Sequence, residues 1–321
     1  MKKLFLIIFF LVVSISILPA FAKESKVSKV SKESDGLKKE VVESLAKLNE
    51  ETMKILTKKE IHSMIDYPKL LKEYGITYQS DLIVDKNLYT KLKGCQLQQY
   101  AGMILFDIMY SASFNKLQEI ANGLHTLEAI VKILDLRSHA DLKGNSLTAL
   151  KKLSTEPEKL DFTEVFDQLA TDAVAQIPTF MSSKVTAHYM LDVFYGYSLE
   201  AIHLLGYFHK TNYNVKLKKW KTQLDTSSVW LNKVVELFES FSKVENTLHL
   251  NCSAEKNLDA IKNFASFLNE VNSAIITKKD NKNEFNNRRN DLIKRIEDVR
   301  TEITGKTFNL QGDSNTEGSS H

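Results

Sequence analysis

Cysteine and proline are nearly missing from this chain, which has 2 and 4 of them in 321 residues. Two cysteines exclude a disulfide-dense scaffold, and with no close pair they form neither a dithiol redox motif nor a Cys/His zinc framework. So few prolines, with only 11 glycines, leave little to interrupt helices. The sequence also lacks a GxSxG elbow, a P-loop, a GxGxxG turn and an HExxH pair, the usual marks of hydrolases, nucleotide binders and zinc proteases. Excess charge of one sign is lacking too, since 43 Lys and Arg stand against 40 Asp and Glu. A nucleic-acid binder should gather a basic excess on one face. The one dense basic stretch, Lys216 to Lys221, reads instead as a solvated helix face or connection with Trp220 turned inward.

Met1 to Ala22 combines Lys2 and Lys3, an apolar run from Leu4 to Leu18, and Pro19-Ala20-Phe21-Ala22. A charged start, an apolar core and a small-x-small end predict a cleaved secretory leader cut after Ala22. The run is shorter than the roughly 20 residues of a spanning helix, and no later segment is apolar enough to cross a membrane. Losing the two lysines brings the formal charge from +3 to +1. The mature protein is therefore expected to be periplasmic or secreted, with no nucleic-acid partner and no transmembrane segment. Residues 23–36, a Lys/Ser/Glu tract, are expected to form a flexible tether, residues 37–304 a single helical domain, and residues 305–321 a disordered tail.

Within the domain the hydrophobic spacing is helical over most of its length. Val41, Leu45, Leu48 and Ile55 mark a first amphipathic helix. A short helix at Ile61 to Ile65 should precede another that opens at Pro68 and ends near Gly75. Ile76 to Val84 has some strand character but no second strand to pair with, so it is expected to be an ordered connection. Leu147 to Leu153 and Asp161 to Ile177 predict further helices, the second ended by Pro178. Three-four spacing recurs at Trp230, Val234, Leu237, Phe238 and Phe241, and again at Leu258, Ile261, Phe264, Leu268 and Val271. Leu292, Ile296, Val299 and Ile303 form the narrow seam of an outer helix.

Two stretches, Tyr100 to Gln118 and Thr186 to His209, are apolar on most sides, which predicts helices buried among other helices. The first could run to Leu136 with a break near Gly123. Phe106-Asp107-Ile108-Met109-Tyr110 and Leu191-Asp192-Val193-Phe194-Tyr195 share a pattern at an offset of 85 residues, which suggests an internal duplication. The fold class expected is all-α: a multi-helix bundle with two central apolar helices and a peripheral C-terminal helical hairpin.

Each central helix carries an acid where an acid is costly. Asp107 and Asp192 need hydrogen-bond donors or a retained proton, and Tyr110 and Tyr195 follow each by three residues. On the second helix His188, Asp192, Tyr195 and His203 fall on one quarter of the circumference at 3.6 residues per turn. Glu200 and His203 form one Glu-x-x-His; a di-iron bundle needs a second and two more glutamates, and none is found. These side chains either satisfy one another or line a pocket for a metal or small ligand. Cys95 and Cys252, both near predicted helix starts, either pair in an oxidising compartment or stand as two half-buried thiols.

The segments Ile65-Asp66-Tyr67-Pro68-Lys69-Leu70-Leu71, Tyr74-Gly75-Ile76-Thr77-Tyr78 and Tyr100 to Phe114, with Gly196-Tyr197-Ser198-Leu199-Glu200 later, resemble a group of exported, all-helical bacterial proteins of unassigned function. The chain departs from their core at Ile104 and Ile108 and has no lipoprotein cysteine. The resemblance implies export and a helical fold, and it supplies no activity, cofactor or catalytic residue. Sequence alone thus points first to a non-enzymatic helical binding or scaffold protein of the cell envelope, whose partner would be an envelope protein or a small ligand. Second is a bundle holding a metal or small ligand among Asp107, Tyr110, His188, Asp192, Tyr195, Glu200 and His203. A hydrolase or redox enzyme ranks third, for want of a nucleophile beside a base.

Overall fold

A computed structural model describes residues 32–73, 77–134, 175, 177, 178, 180, 181, 184–208, 213–248, 254–277 and 282–305. The leader, residues 23–31 of the expected tether, the helices expected at 147–153 and 161–174, Cys252 and the tail beyond residue 305 lie outside them. Every regular element among the described residues is helical: α1 (Lys32–Ile55), α2 (Lys58–Glu73), α3 (Gly94–Ser113), α4 (Leu117–Ile133), α5 (Lys184–Phe208), α6 (Tyr213–Leu248), α7 (Ala254–Thr277) and α8 (Lys282–Thr304), with 3-10 turns at Ser80–Leu82 and Leu88–Thr90. The all-α multi-helix bundle is as expected.

The two apolar stretches are its centre. Every residue of α3 from Leu97 to Ala112 and of α5 from Thr186 to Leu205 is buried. Helices α3 and α5 pack on each other, with α2, α4 and α8 also against α3, α6 and α8 against α5, α1 and α7 against α6, and α7 against α8. Gln98 meets His188, Gln99 meets Asp192, and Phe106 sets its ring edge-on to Tyr197 with centroids 5.1 Å apart. Contacts that advance together along both chains make the two helices parallel.

Glycine fixes how closely they approach. A Cβ on Gly102 would overlap the Val193 carbonyl and lie 2.7 Å from the Tyr197 nitrogen, and one on Gly196 would lie 2.7 Å from the Gln99 carbonyl carbon. The obstacles are backbone atoms, so only hydrogen fits on either side of this crossing. It sets Gly196 beside Gln99 and Val193 and Tyr197 beside Gly102. The two Asp-x-x-Tyr segments therefore do not lie side by side: Asp192 is level with Gln99, well before Asp107 on α3, so the two acids stand at different heights.

Several boundaries differ from the sequence-based expectation, each for a local reason. Helix α1 already begins at Lys32, inside the expected tether. Pro68 lies inside α2, which runs unbroken from Lys58 to Glu73; buried Tyr67 and Leu71 on either side hold that turn in the core. The first central helix ends at Ser113, well before Gly123. Asn115 takes a left-handed φ of 58°, the Lys116 N–H donates to the Ser111 carbonyl at 2.9 Å and the Asn115 N–H to that of Ala112 at 3.0 Å. That pair of bonds is a Schellman stop, and Asn tolerates the left-handed position. Gly123 sits in mid-α4 instead, where a Cβ would run into Ile108. Pro178 is itself in a helical turn, flanked by buried Ile177, Phe180 and Met181.

The 77–92 connection is irregular but ordered, and α3 anchors it. The Tyr110 hydroxyl donates to the Thr77 carbonyl at 3.1 Å and accepts from the Gln79 N–H at 2.9 Å. Tyr78 stacks on Tyr110 with centroids 5.1 Å apart. The Tyr100 hydroxyl donates to the Asp85 carbonyl at 2.5 Å.

Candidate functional site

The polar residues of the central helices form two clusters, eight residues or about 12 Å apart along α5. The lower one joins α3 to the start of α5. Gln99 Nε2 donates to Asp192 Oδ1 at 2.9 Å, and His188 Nδ1 lies 3.0 Å from Asp192 Oδ2 and 3.1 Å from Gln98 Oε1. The four-residue spacing of His188 and Asp192 puts both on one helix face. Aromatic rings from α6 close the other side, Phe238 at 6.4 Å and Phe241 at 5.3 Å from the imidazole. Cys95, half-buried in the first turn of α3, reaches the same place: ligand atoms of Cys95, His188 and Asp192 all lie within 4.8 Å of one another. Cys95 is disulfide-bonded, and the chain's one other cysteine is Cys252. A sulfur so bonded is not available as a thiolate.

The upper cluster draws on three helices and is centred on a residue sequence reasoning did not single out. Arg300 of α8, fully buried, sets Nη2 2.9 Å from Glu200 Oε1 and 3.3 Å from the Leu82 carbonyl it donates to, and Nη1 2.9 Å from His203 Nε2. His203 Nδ1 stands 3.4 Å from Glu200 Oε1, and its Nε2 also lies 2.9 Å from Glu297 Oε1. One nitrogen cannot both accept from the guanidinium and donate to a carboxylate. With the ring proton on Nδ1, His203 faces Glu200 and accepts from Arg300; with a proton on Nε2 it donates to Glu297.

Asp107 completes this group from α3. Its Oδ2 accepts the Val84 N–H at 2.8 Å, while Oδ1 has no hydrogen-bond partner among the described residues. Complete burial, and then the negative charge of Glu200, push its carboxyl well above the usual Asp range; the Val84 N–H and Arg300 oppose this without prevailing. Glu200 Oε2 is likewise without a hydrogen-bond partner among the described residues.

The seven sequence-derived residues are thus distributed between different places. His188 and Asp192 share the lower cluster; Asp107, Glu200 and His203 share the upper one. Tyr110 turns away to the 77–92 connection. The Tyr195 hydroxyl is buried and has no hydrogen-bond partner among the described residues, and burial raises its ionisation above the usual tyrosine range. A single pocket joining all seven is not what the geometry gives. Gln98, Gln99, Glu297 and Arg300 were missed; of these Arg300 left a signal, standing four residues after Ile296 and eight after Leu292, on the buried line of α8.

Tyr67, Tyr197, Ser198, Ala201, Ser227 and Trp230 line a cavity of about 20 Å³, room for about one water, and the Tyr67 hydroxyl is bonded to Ser227 Oγ at 3.0 Å. No helix among the described residues is long and apolar enough to cross a membrane. Fold and site define a helical bundle whose core is locked by interior polar groups. No protein-family model, curated protein or solved structure matches the chain.

Proposed function

We propose that this is an exported, non-enzymatic helical binding or scaffold protein of the cell envelope, akin to the exported helical group its sequence resembles. What carries the proposal is the direction of the buried charges: Asp107, Glu200, His203, Glu297 and Arg300 close on one another and on the 77–92 backbone. A substrate site needs convergent polar groups facing a cleft of several hundred Å³, and these polar groups face inward. The bonded state of Cys95 supports export, because disulfides persist in oxidising compartments.

Expression of the full-length chain in a bacterial host tests this. The recovered envelope or secreted protein should begin at Lys23, and Cys95 should resist alkylation until a reductant is added. A cytosolic chain retaining its first 22 residues, with a freely alkylated Cys95, overturns export. Thermal melts of the oxidised protein against a panel of divalent metals address the binding reading: a ligand at 100 times its Kd adds about 2.7 kcal/mol. A shift of that size in the oxidised protein would replace the scaffold with a metal-binding bundle.

A further inference from the structure

The lower cluster has a chemistry that the bonded form of Cys95 conceals. We infer that Cys95, His188 and Asp192 form a redox-gated site for a zinc-like divalent transition metal, closed while Cys95 is in its disulfide and opened by reduction.

Three observations carry this. The ligand atoms of Cys95, His188 and Asp192 already lie within 4.8 Å of one another, so about 1 Å of contraction would suit bonds of about 2.0–2.3 Å to a tetrahedral ion. The donors are one sulfur, one imidazole and one carboxylate, the mixed soft and borderline set that zinc-like ions accept and that calcium or magnesium would not select. Outer groups already hold the ligands: Gln98 Oε1 faces the His188 ring, Gln99 Nε2 donates to Asp192 Oδ1 and Phe241 packs on the imidazole, the kind of support that orients first-sphere ligands in metal sites. Cys95 is the second residue of α3, where the helix dipole favours an anion.

The opening step balances with a dithiol as reductant. The dithiol gives two electrons and two protons to the Cys95–Cys252 disulfide, which becomes two thiols, and the dithiol closes to its own disulfide. The Cys95 thiol then releases its proton to solvent as the metal binds, and a water supplies a fourth ligand.

The probe is Co²⁺, whose bond to a thiolate absorbs in the near ultraviolet, applied to the whole protein. Cys252→Ser frees Cys95 without a reductant and should show the thiolate-to-cobalt band, lost on adding Zn²⁺; wild type should show it only after reduction with a dithiol and removal of the excess. Oxidised wild type and the Cys95→Ser/Cys252→Ser double variant should show none. In the Cys252→Ser background, Gln99→Ala should weaken cobalt binding about tenfold. A folded Cys252→Ser protein without the band overturns the inference, as does a band unchanged by His188→Ala and Asp192→Asn together. If Cys252→Ser does not fold, reduced wild type followed by circular dichroism decides; its unfolding without metal uptake also refutes the site.

Discussion

Replacing Arg300 by methionine should be among the most damaging single changes in this protein. The guanidinium and the Glu200 carboxylate are both 0 % exposed and meet at 2.9 Å, so removal of the cation strands a charge that solvent does not reach. Breaking a buried pair on one side costs about 3–5 kcal/mol, against about 0–1 kcal/mol for an exposed pair such as Lys39 with Glu43. At about 2–4 °C per kcal/mol for a domain of this size, Arg300→Met should melt about 10 °C lower. The companion variant is Arg300→Met/Glu200→Gln, which removes both charges and keeps their volume. It should recover at least about 2 kcal/mol of the loss, the sign of direct coupling between neighbours. Urea unfolding of wild type, both single variants and the double variant measures the cycle. The deficit of Arg300→Met should change little with salt, since buried pairs are poorly screened. A loss under about 1 kcal/mol, or strictly additive single variants, would show that Arg300 and Glu200 do not hold one another and would refute the lock.

The remaining predictions concern Asp107 and the glycine crossing. An acid whose folded pKa lies above its unfolded value binds its proton more tightly when folded. Its contribution is therefore full below the unfolded value, about 3.9 for Asp, and is lost as pH rises through the folded one. Burial and Glu200 place Asp107 in this class. Asp107→Asn, which keeps an acceptor for the Val84 N–H, should thus gain on wild type as pH rises from about 4 towards neutrality; equilibrium unfolding at several pH values checks it, and a variant that falls further behind with rising pH would contradict the assignment. Gly196→Ala should cost at least about 3 kcal/mol, above the usual range for overpacking, because its Cβ meets the Gln99 backbone. Gly123→Ala meets side-chain atoms of Ile108 rather than backbone and should cost about 1–3 kcal/mol; chemical denaturation of the two side by side tests the contrast.

The parts of this fold legible in the sequence are those written in local spacing. Leu258, Ile261, Phe264, Leu268 and Val271 announce α7 and are all buried, and the two stretches apolar on most sides announce the central helices. Boundaries were harder where two residues competed for one signal: Gly123 looked the better helix breaker, yet Asn115 supplied the left-handed stop while Gly123 supplied closeness to Ile108. The site was legible only one residue at a time. That Asp107 and Asp192 must be answered follows from their apolar neighbours, but the answers come from far along the chain, Arg300 lying 100 residues beyond Glu200. The pattern shared by the two Asp-x-x-Tyr segments said nothing of register, because the glycine crossing sets the sliding position of α3 on α5, and a repeat in sequence does not have to face itself in space.

The interlock between α8 and the centre orders events in time. As the polypeptide grows from its amino end, α3 and α5 are complete long before the guanidinium that answers Glu200 has been made. A nascent chain that closed those two helices early would seal an acid in oil with no counterion. Packing α3 against α5 before α8 is in place would bury Glu200 without Arg300, which is costly unless the acid keeps its proton. A product cut short before α8 lacks Arg300 and should be digested by a protease faster than the full chain.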